Sequence, residues 1–290
     1  MRRLHIDLLL FSFLFSVIFC LCCLFVDKLL TFWVFLELCG MSIIPSFFYK
    51  TSSVLHGFYT SLLSYVVMSG LSSFLMATGI IIKSLYIFVL FGFLVKLGLF
   101  PFSLWVYRVF SKSNWVFIFM LSVILKFPIL FFCFLLQNNY YSLIYFDRIL
   151  TIIMCSILIW SFSSSWEFIW CHISLCSVST LLVACFCSDF TFCLFVYLYY
   201  FLWACLLITY FYFIGELGGT KWSFWVYCFL LLVTPISFPL FYKLIVCLSI
   251  LYSSVFVLFS WCIYRFSEQF FLYKLGGDLL YSKVFKNWGC

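Results

Sequence analysis

Charge is what this sequence has least of. Only 9% of its 290 residues are Asp, Glu, Lys or Arg, where a soluble domain carries roughly 25%. A soluble fold of this length needs polar side chains for its outer face, and too few are present to build one. A disordered chain is excluded by the same composition, since 67% of the residues are hydrophobic. Proline and glycine, at 5 and 12 residues, are far too rare for collagen. The net charge of +7 is spread along the chain and makes no basic stripe of the kind that holds nucleic acid. No nucleic-acid partner is expected. The apolar runs do not alternate with polar residues, so they do not read as strands of a transmembrane barrel. What remains is an all-α, polytopic membrane protein.

Aromatic residues are what the sequence has in excess: 43 Phe, 19 Tyr and 11 Trp, a quarter of the chain. Phe, Cys, Leu, Val, Trp and Tyr share T-rich and G-rich codons. The plain reading is nucleotide bias in the coding genome, which points toward an organelle. The 16 cysteines sit mostly inside apolar runs and read as small buried hydrophobes; no metal site is expected. Met1-Arg2-Arg3 followed by a long apolar run reads as a retained first span and not as a cleaved signal, and no Arg-rich presequence precedes it.

A helix crosses the bilayer with about 20 apolar residues. Ten spans are expected, at 4–26, 29–48, 57–82, 85–107, 115–136, 149–162, 168–187, 190–213, 222–246 and 248–266. Residues 1–266 then form one transmembrane domain and 267–290 a polar tail. Arg2, Arg3, Lys50, Arg108, Lys112, Lys221, Arg265, Lys274, Lys283 and Lys286 fall on one side of the membrane. Lys28, Lys83 and Arg148 fall on the other. By the positive-inside rule both termini face the cytoplasm or matrix.

Three lysines remain within spans, with one glutamate: Glu37, Lys96, Lys126 and Lys243. A charged residue at a helix centre costs roughly 2.5–3.5 kcal/mol on insertion scales. Residues so expensive, in a chain otherwise stripped of charge, more often line a polar path. The bland alternative is a side chain that snorkels to an interface, which fits Lys243 best of the four. Four of the five prolines, Pro101, Pro128, Pro235 and Pro239, lie close to these lysines. Each removes a backbone donor and frees a carbonyl one turn back, which protein or water must satisfy within lipid. Burial disfavours an ammonium ion and a nearby carboxylate favours it. A lysine under both pulls can load and release a proton. A weak internal repeat, Leu94-Val95 with Phe100-Pro101 against Leu232-Val233 with Phe238-Pro239, falls in spans four and nine. Five spans separate them, as in two halves of opposite orientation.

At these residues the sequence resembles the mitochondrial NADH dehydrogenase subunit 2 family, antiporter-like membrane subunits of respiratory complex I. Trp33-x3-Glu37 with Met41-Ser-Ile-Ile-Pro45 looks like the family's first acidic motif. Lys96-Leu-Gly98-Leu-Phe-Pro101-Phe102-x2-Trp105 resembles its most specific motif. Lys126-x-Pro128 resembles its Trp-Gln-Lys-x-x-Pro segment, and 235–243 its Pro-rich, Lys-bearing broken helix. The resemblance implies two inverted five-helix repeats and a proton relay. In it Glu37 and Lys96 form a charged pair, Lys126 is the central residue and Lys243 ends a half-channel. It implies a subunit of NADH:ubiquinone reductase that does no redox chemistry itself. NADH, FMN, iron–sulfur clusters and ubiquinone would be bound by other subunits. Its partners would be other membrane-arm subunits of complex I and the lipid of the inner mitochondrial membrane. A subunit of a multisubunit cation/proton antiporter is the alternative. Three departures stand out: Ser103 and Ser177 occupy positions where the family carries histidine, and Arg108 one where it carries glutamate. Ser103, Ser177 and His172, with water, would then bridge the lysines.

Overall fold

A computed structural model describes residues 2–49, 55–136, 141–163, 165–217, 221–251 and 253–278. Among these residues the chain is helical, with no strand. Uninterrupted apolar sequence dictates this, because a helix satisfies its backbone donors and acceptors internally where lipid offers none. Buried serines obey the same demand. Ser42, Ser46 and Ser72 each donate to the carbonyl three residues back, at 2.7 Å.

The helices in chain order are α1 (Arg2–Cys22), α2 (Leu29–Ile43), α3 (Leu55–Ile81), α4 (Ile87–Leu97), α5 (Leu104–Phe110), α6 (Trp115–Ser122) and α7 (Phe127–Leu136). They continue as α8 (Tyr141–Phe162), α9 (Trp166–Cys187), α10 (Phe190–Leu217), α11 (Lys221–Leu231), α12 (Phe238–Ile250) and α13 (Val255–Gly276). Among the described residues, seven helical stretches are long and apolar enough to cross a membrane: Ile6–Phe25, Leu29–Phe48, Tyr59–Ile81, Ile144–Phe162, Trp166–Cys187, Phe190–Gly215 and Val255–Gly276. The protein is a polytopic helical membrane protein, and its many exposed Phe, Leu and Ile side chains are suited to lipid.

The remaining three expected spans are not single helices. α4 and α5 divide 85–107, α6 and α7 divide 115–136, and α11 and α12 divide 222–246. Each division has a proline at or beside it. Two spans also differ clearly in extent from those expected. The sixth span begins at Tyr141, so Arg148 lies within α8 and is buried. The last helix begins at Val255 and runs to Gly276, ten residues into the stretch read as a tail, so Glu268 and Lys274 are helical and Arg265 lies near the helix middle. Lys50, Lys283, Lys286 and residues 279–290 lie outside the described residues.

The chain forms two compact units. One comprises Met1–Tyr141 with Ile173–Val178, and the other Ser142–His172 with Ser179–Cys290. In the first, α1 packs on α2, where the Cys20 and Cys39 sulfurs lie 3.2 Å apart and the Ser12 hydroxyl donates to the Ile43 carbonyl. α4 lies so close to α3 that a Cβ on Gly92 would fall 2.7 Å from the Ser72 carbonyl oxygen. Small residues permit such approach between membrane helices. In the second unit, Trp203 of α10 stacks on Tyr242 of α12 with ring centroids 5.1 Å apart. The Tyr227 hydroxyl of α11 donates to the Leu272 carbonyl of α13 at 2.6 Å.

Candidate functional site

The first charged group is a pair between two helices. Glu37 projects from the middle of α2 and Lys96 from the last turn of α4, and Lys96 Nζ donates to Glu37 Oε1 at 2.5 Å. Their side chains are only 8% and 15% exposed, Lys first. Either charge alone in this place would carry a large desolvation penalty, and each offsets that of the other. Next to them the Tyr65 hydroxyl of α3 donates to the Gly40 carbonyl of α2 at 2.9 Å.

Lys96 is held where it is by the way α4 ends. Gly98 adopts the left-handed conformation with φ +68°, and Leu99 N–H donates back to the Leu94 carbonyl at 3.0 Å. This is a glycine stop of the kind that closes many helices. No other residue fits there, since a Cβ on Gly98 would fall 2.1 Å from Val106 Cγ2. The Val95 carbonyl accepts the Gly98 N–H within the stop and, as a second donor, the Trp105 indole N–H, each at 3.1 Å. The Lys-Leu-Gly-x-x-Pro-x3-Trp pattern is thus a helix end with its own cap, and it presents Lys96 to Glu37.

Lys126 is set by a second irregularity. α6 ends at Ser122, a 3-10 turn covers Ile124–Lys126, and α7 begins at Phe127 with Pro128 as its second residue. Pro128 cannot donate to the Ile124 carbonyl one turn back. The Phe127 N–H and the Cys20 thiol supply donors instead. Lys126 is 3% exposed. Its Nζ donates to the Ser174 carbonyl at 2.8 Å and to Ser177 Oγ at 2.6 Å, and the Ser177 hydroxyl donates in turn to the Ser174 carbonyl. Its acceptors therefore come from the 173–178 segment of α9, not from the carbonyl that the proline frees.

One cavity of about 30 Å³ has both Lys96 and Lys126 in its wall, with Ser122 and Ser174 among its other polar lining residues. That is room for one or two water molecules, with several polar partners on hand. The cavity's remaining walls are apolar, including Leu36, Phe93 and Val106.

The second charged group lies in the other unit. Lys243 of α12 places Nζ 3.8 Å from Glu268 Oε1, and Arg265 Nη1 donates to Glu268 Oε2 at 2.8 Å. Glu268 is 1% exposed. The guanidinium lies 5.4–5.6 Å from the ring centres of Trp261, Tyr264 and Tyr242, within cation–π range. The break before α12 is closed by the residue after the carboxylate. Pro235 withholds a donor from the Leu231 carbonyl; Gln269 Nε2 donates to that oxygen at 3.4 Å, while Gln269 Oε1 accepts Val233 N–H at 3.0 Å. Pro239 sits in the first turn of α12, where no backbone donor is needed.

The structure thus brings Glu37 and Lys96 together, puts Lys126 on Ser177, and places Lys243 on a carboxylate that the sequence did not single out. Ser103 is buried in the turn before α5, and His172 is fully buried in the second unit. Glu268 follows the expected end of the last span, and Arg265, just inside that end, reads from the sequence as a flanking charge. Trp261, Arg265, Glu268, Leu272 and Gly276 are all buried and recur at helical spacing, a pattern that carries one helix face ten residues further. Arg148, which reads from the sequence as a flanking charge, is 2% exposed, with Nη1 3.3 Å from Asp147 Oδ2.

No family model and no curated protein sequence matches the chain at a significant level.

Proposed function

We propose that this chain is a proton-translocating membrane-arm subunit of NADH:ubiquinone oxidoreductase, complex I, in the inner mitochondrial membrane, with both termini on the matrix side. The observation that carries the reading is the single small cavity that has Lys96, already paired with Glu37, and Lys126 in its wall. The reading counts the broken stretches 85–107, 115–136 and 221–250 as crossings beside the seven long helices, which would bring the total to the ten expected. The division of the chain near residue 141 falls between the fifth and sixth crossings, as two five-helix repeats of opposite orientation would have it. The organelle-like composition fits a mitochondrial gene.

In this reading Glu37 holds the ammonium of Lys96. A change in that ion pair lets the proton leave Lys96 Nζ, cross the cavity on water, and bind Lys126 as a neutral amine. Ser177, which accepts from Lys126 Nζ, takes the place of an imidazole by orienting the amine. Lys243 is the outlet. Moving one charge against the membrane potential requires about 2.3 kcal/mol per 100 mV. That drive comes from the subunits that oxidise NADH and reduce ubiquinone; this chain binds no redox cofactor and is an enzyme only as part of the complex.

The rival is a subunit of a multisubunit cation/proton antiporter, which would use the same lysines and prolines. Affinity purification from mild detergent separates the two. Copurification with the redox and membrane subunits of complex I supports the proposal; a partner set without them, with sodium-dependent proton exchange after reconstitution, overturns it.

A further inference from the structure

The trio on α12 and α13 has an arithmetic that the pair on α2 and α4 lacks. Glu268 faces two cations, at 2.8 Å from Arg265 and 3.8 Å from Lys243. A guanidinium keeps its charge under all conditions a protein meets. An ammonium does not. Of the three groups, Arg265 and Glu268 can therefore remain a neutral pair whatever Lys243 does. When Lys243 is protonated, the trio carries one positive charge; when it is a neutral amine, the trio carries none. Arg265 is fixed by more than its carboxylate, because Trp261, Tyr264 and Tyr242 surround it. The closer contact to Glu268 belongs to the cation that cannot discharge.

We infer that Glu268 is the positioning residue for proton release at Lys243: held by Arg265, it steadies the protonated lysine and is left already paired when the proton goes. This rests on Lys243 being the outlet of a proton path, as proposed above. In the release step the N–H bond of the Lys243 ammonium breaks, the electron pair stays on nitrogen, and a water molecule takes the proton as hydronium. No other bond changes, and no carboxylate is left without a cation. Gln269, the next residue, bridges the break in front of α12 through Leu231 and Val233. The helix turn that carries the counter-ion thus also holds the end of α11 at the break that precedes the helix of Lys243.

The test uses assembled complex I in sealed membrane vesicles, read as protons pumped per NADH oxidised. Glu268→Gln leaves two cations facing each other and is expected to lose pumping. Glu268→Asp, which keeps the carboxylate, is expected to retain part of it. The double variant Arg265→Gln with Glu268→Gln removes one charge of each sign, so the local charge balance equals that of the wild type. It is expected to pump more than Glu268→Gln alone, including where the single variant fails to assemble. Wild-type pumping in Glu268→Gln would overturn the inference. So would a double variant as inactive as the single one, because the charge balance around Lys243 would then not be what Glu268 sets. Lys126→Ala, measured alongside, separates the two levels: if it pumps normally the subunit reading itself fails, whereas loss there with normal pumping in Glu268→Gln removes only Glu268 from the path.

Discussion

The Glu37–Lys96 pair and the Lys243–Glu268–Arg265 trio bury charge in opposite ways. In the first unit one carboxylate meets one lysine across two helices, 59 residues apart in sequence. Any separation of the two leaves both unsatisfied, so the pair is an all-or-none contact. In the second unit the carboxylate has a permanent partner three residues before it on the same helix, and the lysine is the second claimant. There the lysine can change state without breaking the shorter ion pair. The two breaks differ as well. α4 ends on a glycine stop and an indole N–H, both supplied within 94–105. α11 ends where Gln269, from a different helix, reaches in. The first break is self-contained, and the second is tied to the helix that carries the counter-ion.

The largest effect should come from splitting the pair. Glu37→Ala leaves a buried ammonium alone, and loss of one partner of a buried ion pair typically destabilises by about 3–5 kcal/mol. A thermal melt of the purified protein in detergent checks this. Replacing both, Glu37→Leu with Lys96→Met, should bring back most of the stability and none of the pumping, because no charge is then stranded. If the double variant is as unstable as Glu37→Ala alone, the pair does not act as a unit.

The next two effects compare the breaks. Gly98→Ala forces a side chain into the left-handed region and against Val106. The backbone conformation alone costs of order 1–3 kcal/mol. Gln269→Leu strips two hydrogen bonds from the break before α12 and leaves buried backbone groups unsatisfied, at about 1–3 kcal/mol. Hydrogen exchange should rise at 231–237 in the Gln269 variant and stay unchanged at 98–103. Equal protection changes at both breaks would contradict the view that they are built independently. The smallest effect is expected from Trp105→Phe, which keeps the ring and loses the bond to the Val95 carbonyl, about 0.5–1.5 kcal/mol.

Much of the first unit was legible in the sequence, because charge is so scarce there. Glu37 and Lys96 stand alone in long apolar runs, and Gly98 with Pro101 announces the helix stop that positions the lysine. The second unit was harder to read for a physical reason. Arg265, Ser267, Glu268 and Gln269 cluster within five positions, and such a cluster after an apolar run looks like the end of a span. Hydropathy averages over a window and cannot distinguish a polar tail from a helix with one buried polar face. Only the 3.6-residue spacing of 261, 265, 268, 272 and 276 separates the two. Arg148 was misplaced for the same reason, since the apolar run of α8 was measured from the residue after it. The acceptors of Lys126 were not legible beyond the pairing of Ser177 with a lost histidine, because contact between the turn at 124–126 and the middle of α9 is a tertiary fact. The weak repeat around Leu94 and Leu232 is present, but Leu94 and Val95 lie in α4 whereas Leu232 and Val233 follow the end of α11.

The central claim is that the few buried charges carry protons. Lys126 tests it most directly, since it is the most deeply buried of the three lysines and shares the cavity with Lys96. The measurement is the number of protons pumped per NADH oxidised by complex I carrying Lys126→Ala, reconstituted in sealed vesicles. A lower ratio in fully assembled enzyme is expected. A ratio equal to that of the wild type would contradict the assignment of these residues to a proton path.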